Sequence, residues 1–145
     1  MESLQFKTSI RPATNNKHKV HYLDYVISGK FLGDSLNIKK LDKVSPFGDT
    51  VHKNYQIQLL DALTLNKKSE LKSGRTVLYV CPECGDIECG AVTISIEENA
   101  DNIIWKEFGL ESNLDGIMEE FQQLELIEFE KKSYLKAFQE LKENL

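Results

Sequence analysis

The chain has 145 residues, of which 41% are hydrophobic and 28% charged, and a formal net charge of −5. That is about one domain, large enough to bury a core without disulfides or metal as staples, and its composition argues against wholesale disorder. No apolar run approaches the roughly 20 residues that cross a bilayer, and MESLQFKTSI lacks the apolar stretch of a secretory signal.

Charge is unevenly spread. Residues 97–145 hold 5 Lys and Arg against 13 Asp and Glu, a net of −8, while residues 1–96 hold 13 against 10. An acidic second half repels phosphates, which argues against a nucleic-acid partner. It suits a basic protein partner, or simply a solvated surface.

In chain order, the LQFKTSIR segment is expected to be a first strand, and Pro12 to Lys17 a polar loop. Val20 to Ile27 is rich in β-branched and aromatic residues and predicts a second strand. Ser28-Gly29-Lys30 then signals a hairpin, with Phe31 and Leu32 starting the return. Residues 42–54 look like loop. Tyr55, Leu59, Leu60 and Leu63 share one helical face, with Asn54 as N-cap and an end near Lys67–Ser69.

Arg75 to Val80, Ala91 to Ile96 and Asn102 to Phe108 predict three strands. Glu98-Asn99-Ala100-Asp101 is the hairpin loop between the last two. Leu114, Ile117, Met118 and Phe121 suggest a helix over 114–121. Leu124 to Phe129 either extends it or forms a short strand. Ser133 is placed to cap a final helix with Tyr134, Phe138 and Leu141 at i, i+4 and i+7. The expected fold is one α+β domain over residues 1–145: an antiparallel meander with two to three helices packed on one face.

The distinctive segment is Cys81-Pro82-Glu83-Cys84-Gly85-Asp86-Ile87-Glu88-Cys89-Gly90. Cys-Pro-x-Cys-Gly has the form of a zinc knuckle, in which proline and glycine tighten a turn so that two thiolates converge. Cys89 supplies a candidate third ligand for zinc, which prefers four tetrahedral donors. A second CxxC is absent, Asp86 is a weaker donor, and His18, His21 and His52 all lie far upstream. The competing reading is a hairpin connection with reduced cysteines packed as small hydrophobes. Three cysteines, an odd number clustered within nine residues, suit a reducing cytoplasm better than a secreted disulfide framework. Thiol–disulfide chemistry usually places the first cysteine at a helix N-terminus, whereas this motif lies between two expected strands.

Residues 74–93, GRTVLYVCPECGDIECGAVT, followed by Trp105-Lys106-Glu107-Phe108, resemble a pattern in small uncharacterised bacterial proteins. These share a GR-LYVCPECGD--CGA-T core and a following tryptophan strand. The resemblance covers about a quarter of the chain, and Glu88 stands where the pattern has glycine. The resemblance itself implies no reaction. Small size and acidity suggest an immunity-type protein that neutralises a toxin.

Catalytic signatures are missing from the sequence: no GxGxxG, GxxxxGK[ST], HExxH or GxSxG occurs. Adjacent carboxylates such as Glu97-Glu98 and Glu119-Glu120 do not face each other on a helix, so they read as surface charge. The expected activity is therefore non-catalytic binding, without nucleic acid or membrane. Glu111, Asp115, Glu119, Glu120, Glu125 and Glu128 are the candidate surface for a basic, toxin-like protein. Cys81, Cys84 and Cys89 are the candidate zinc ligands. A metal-stabilised module and, more remotely, a thiol-dependent oxidoreductase are the alternatives.

Overall fold

A computed structural model describes residues 1–145, the side chain of Met118 excepted. β1 (Leu4–Arg11) and β2 (Val20–Ile27) pair antiparallel, from Leu4 opposite Ile27 to Arg11 opposite Val20. Ser28 and Gly29 both have positive φ, 48° and 87°, and turn the chain into β3 (Lys30–Phe31). Two left-handed residues in succession match the twist that a two-residue hairpin requires. The return strand is short because Leu32 opens α1 (Leu32–Leu36), which passes through left-handed Asn37 into α2 (Ile38–Leu41). These two helices are too short to show a period; burial of Leu32, Leu36 and Ile38 holds them in place.

α3 (Lys53–Leu63) begins and ends earlier than the sequence suggests. His52 is its N-cap, with Nδ1 accepting the Asn54 N–H at 3.2 Å, and Thr64 is its C-cap. Leu59, Leu60 and Leu63 are buried, as their spacing implies.

The expected meander is present as β4 (Thr76–Tyr79), β5 (Ala91–Glu98) and β6 (Asn102–Ser112), paired antiparallel in sequence. Asn99 Oδ1 accepts the N–H groups of Asp101 and Asn102 and closes the β5–β6 loop.

Residues 114–121 are not helical. They form a turn and β7 (Gly116–Glu120), folded back on β6. Gly116 sits at φ 68°, and the Asp115 N–H donates to Ser112 Oγ at 3.0 Å. The Asp115-Gly116 turn chemistry outweighs the apolar spacing, which buries little here: Leu114 is 91% exposed and Ile117 is exposed too. The Met118 side chain, part of that spacing, lies outside the described residues.

β8 (Leu126–Glu130) pairs with the other end of the same edge of β6, so β6 has β5 on one side and β7 and β8 in succession on the other. α4 (Lys131–Glu143) follows at once. Its N-cap is Glu130, not Ser133, whose hydroxyl instead donates to Glu130 Oε1 at 2.8 Å. Tyr134, Phe138 and Leu141 are its buried stripe, as the i, i+4, i+7 spacing predicts.

The architecture is α+β with antiparallel sheets, but there are two of them: β1-β2-β3 and the five strands around β6. Main-chain bonds join their edges. The Glu2 N–H donates to the Glu128 carbonyl at 2.8 Å. On the far side, Val44 and Val80 exchange N–H···O bonds, while Leu23 and Asp49 donate to the carbonyls of Phe47 and His21. Pairing can therefore be followed round a ring from β4 through β5, β6, β8, β1 and β2 back to β4. Gly48 makes one crossing feasible, since a Cβ there would strike the His21 carbonyl and stand 2.7 Å from Tyr22 Cα.

Inside the ring, Tyr25 packs edge-on to Tyr79 and Trp105, and Trp105 in turn meets Phe129 and Tyr134 at centroid distances of 4.9 and 5.9 Å. Trp105 Nε1 donates to Tyr134 Oη, which donates to the Leu63 carbonyl. The buried polar tips are thus satisfied, which lets large aromatics fill the core. Trp105 is fully buried, as expected of a core residue. Among the described residues no helix is long and apolar enough to cross a membrane.

Asp24 is a buried exception, 2% exposed. It accepts from Tyr79 Oη at 2.5 Å, the Tyr25 N–H at 2.8 Å and the Gly33 N–H at 3.2 Å. Burial raises its pKa to about 6, the three donors hold the rise back, and Asp34 adds to it. A carboxyl with a folded pKa above its unfolded value near 4 stabilises the fold fully below that value, and the contribution is lost as pH climbs through 6. Relative to Asp24→Asn, wild type is expected to lose about 2 kcal/mol of stability between pH 4 and 7 in urea titrations. A difference between the two proteins that stays flat with pH would contradict this.

Candidate metal centre

The β4–β5 connection is shaped by residues that alternate inward and outward. Pro82, Gly85, Ile87 and Gly90 are buried; Glu83, Cys84, Glu88 and Cys89 are exposed. Gly85 and Gly90 have φ of 70° and 87°, and their N–H groups close tight turns onto the carbonyls of Cys81 and Ile87. Left-handed backbone at these two places is what lets the chain double back and bring distant cysteines together. Glu88 does not have positive φ, so its backbone position does not require glycine. Its N–H is bound by Asp86 Oδ1 at 2.9 Å.

Three outside contacts pin the turn. Thr50 Oγ1 donates to the Pro82 carbonyl, Lys43 Nζ donates to the Cys89 carbonyl at 3.1 Å, and Arg11 bonds Glu83 Oε1 at 2.5 Å. The same Arg11 donates to the His18 carbonyl at 3.0 Å and lies beside Asp42, so it ties the β1–β2 loop to the cysteine turn.

Within this frame the Sγ atoms of Cys81, Cys84 and Cys89 all lie within 4.8 Å of one another. Cys84 and Cys89 Sγ are 2.8 Å apart. All three thiols are free, Cys81 half-buried and the other two exposed. Exposed thiols bury little apolar surface, which counts against packing as their contribution. Desolvation opposes ionisation of Cys81, yet the N–H groups of Cys84 and Glu83 and the two neighbouring thiols outweigh it and lower its pKa. Cys84 is pushed up to about 12, first by desolvation and then by its contact with Cys89. Among the described residues no helix begins at Cys81, so the usual helix-dipole device of a thiol–disulfide enzyme is not built here.

The donor set fits zinc: three convergent thiolate sources and backbone amides aimed at one sulfur. Asp86 falls outside the cluster, its Oδ1 holding the Glu88 N–H and lying 3.5 Å from Cys84 Sγ. His52, whose Nδ1 caps α3, and His21, whose Nδ1 lies 3.3 Å from Asp49, are not among the groups clustered with the three thiols.

The acidic residues are distributed differently from the expected single surface. Glu111 is 4% exposed and paired with buried Arg75 at 3.4 Å, so it is a structural carboxylate and offers nothing to a partner. Asp115, Glu119, Glu120 and Glu125 are exposed, and Glu128 is half-buried. In the sequence Arg75 signals no more than the start of a strand; in the fold its network organises the meander. No protein-family model, curated protein or solved structure matches the chain.

Proposed function

We propose that this is a non-catalytic binding protein built on a metal-stabilised turn, in which Cys81, Cys84 and Cys89 hold one zinc ion. The convergence of three thiols within 4.8 Å, two of them exposed, carries the reading. Zinc would supply no redox chemistry here; it would clip the β4–β5 connection and fix the outward face of the turn. Native mass spectrometry of untagged protein, purified without chelators, tests this. A mass of chain plus one zinc is expected, and the bare chain after zinc is supplied in excess would refute it.

A second reading, compatible with the first, is partner binding through acidic charge, of which an immunity-type inhibitor of a basic toxin is the specific form. Its support is local: among the described residues β7 pairs with β6 alone, and Asp115, Glu119 and Glu120 lie on or beside it with exposed Leu114 and Ile117. A free edge carrying apolar and acidic side chains suits a basic, extended segment. Association with a basic partner is expected to weaken at least about tenfold from 50 to 300 mM salt, and to weaken less for Glu119→Gln/Glu120→Gln. Salt-insensitive association would refute the electrostatic form.

A further inference from the structure

The two exposed thiols of the turn touch. Cys84 Sγ lies 2.8 Å from Cys89 Sγ, against about 2.0 Å in a disulfide, so a bond between them needs an approach of less than about 1 Å. The backbone holds them in place through its own hydrogen bonds. Gly85 and Gly90, both left-handed, close onto the carbonyls of Cys81 and Ile87, and Asp86 Oδ1 accepts the Glu88 N–H between them. Both thiols are free and exposed, whereas Cys81 is half-buried, so a dissolved oxidant meets Cys84 and Cys89 first. Zinc itself has no redox chemistry, but thiolates are oxidised according to their access.

We propose that Cys84 and Cys89 are an oxidation site, joined into a disulfide by a hydroperoxide, and, resting here on the zinc reading above, that this bond empties the metal centre. One thiolate attacks a peroxide oxygen; the O–O bond breaks, an alcohol or water leaves, and a sulfenic acid remains. The second thiol then attacks that sulfur, the S–O bond breaks, and the hydroxyl departs with the thiol proton as water. Two thiols and one hydroperoxide thus give one disulfide, one alcohol and one water, and two electrons pass from sulfur to the peroxide. Metals are held by thiolates, so a zinc ion that loses both sulfurs keeps Cys81 alone and is released. The new bond lies at the surface, where a dithiol reductant reaches it and reopens the site. The turn responds once per oxidant molecule; it does not turn over.

Zinc-loaded protein is to be treated with a small excess of hydrogen peroxide beside a chromogenic zinc chelator, then with iodoacetamide, and mapped by mass spectrometry. Metal-free wild type and Cys81→Ser are treated alike. The expected product is a chain lighter by two hydrogens, with Cys81 alkylated and Cys84 joined to Cys89. One zinc ion per disulfide should appear, at least about tenfold faster than with chelator alone, and dithiothreitol should restore both thiols and zinc binding. Cys81→Ser keeps both partners and should form the same bond. Alkylation of Cys84 and Cys89 after peroxide, single cysteines taken to sulfinic acid, or a disulfide that uses Cys81 or joins two chains would overturn the inference. So would zinc that stays on the oxidised chain. A reduced chain that takes up no zinc refutes the metal reading instead, and the metal-free protein then decides the thiol pair by its disulfide alone.

Discussion

Cys84→Ser is expected to abolish the stabilisation of this protein by zinc while leaving the apo fold intact. Cys84 is exposed, so its replacement removes a ligand without opening a cavity in the core. Two remaining thiolates make a poor site. Affinity should fall by more than about 100-fold, the upper end of what loss of a mere supporting residue costs. At free zinc between 100 and 1,000 times the dissociation constant, binding contributes about 3–4 kcal/mol to the wild-type fold. For a chain of this size that corresponds to a melting temperature higher by about 10 °C. Wild type and Cys84→Ser should therefore melt together in chelator and separate by about that interval when zinc is added. If the two proteins respond alike to zinc, Cys84 is not a ligand; if wild type does not respond at all, the turn is not a stabilising site.

Arg75→Met is expected to cost about 3–5 kcal/mol, because it strands a buried carboxylate. The guanidinium of Arg75, 4% exposed, donates to Thr93 Oγ1 at 2.9 Å, to the Thr93 carbonyl at 2.8 Å, to Ser95 Oγ and to the Glu107 carbonyl. Glu111 accepts from Thr93 and Ser73 hydroxyls, both at 2.8 Å, and faces Arg75 Nε at 3.4 Å. Every group is satisfied while both charges are present. Remove the cation and the anion must be protonated or the site must open to water. Arg75→Met/Glu111→Leu should recover most of the loss, since an apolar pair of similar volume avoids burying either charge. Urea denaturation of the two single variants and the double variant measures this as a thermodynamic cycle. A cost below about 1 kcal/mol for Arg75→Met would mean that the network contributes little.

The elements most legible in the sequence are those in which period, caps and turns agree. Tyr134, Phe138 and Leu141 repeat on one face of α4, and Ser28-Gly29 turns β2 back on itself as its composition implies. Residues 114–121 form a hairpin and no helix because two local signals conflict there. Apolar residues at helical spacing pointed one way, and Asp115-Gly116 the other; the positive φ of Gly116 decides for the hairpin, and pairing along β6 supplies its hydrogen bonds. α1, α2 and the ring closure through residues 44–49 depend on contacts distant in sequence and leave no periodic trace. The same holds for the site. The cysteines were visible by spacing alone. The burial of Glu111 was not, because its fate is set by Arg75, 36 residues earlier. The Arg11 link to both Glu83 and the His18 carbonyl likewise exists only in the folded chain.

The central claim is that the β4–β5 turn is a three-thiolate metal centre, and zinc K-edge X-ray absorption of the purified protein tests it most directly. The expected spectrum fits three sulfur ligands at about 2.3 Å and one lighter nitrogen or oxygen ligand at about 2.0–2.2 Å. Zinc surrounded by light atoms alone, as on an adventitious surface site, would contradict it.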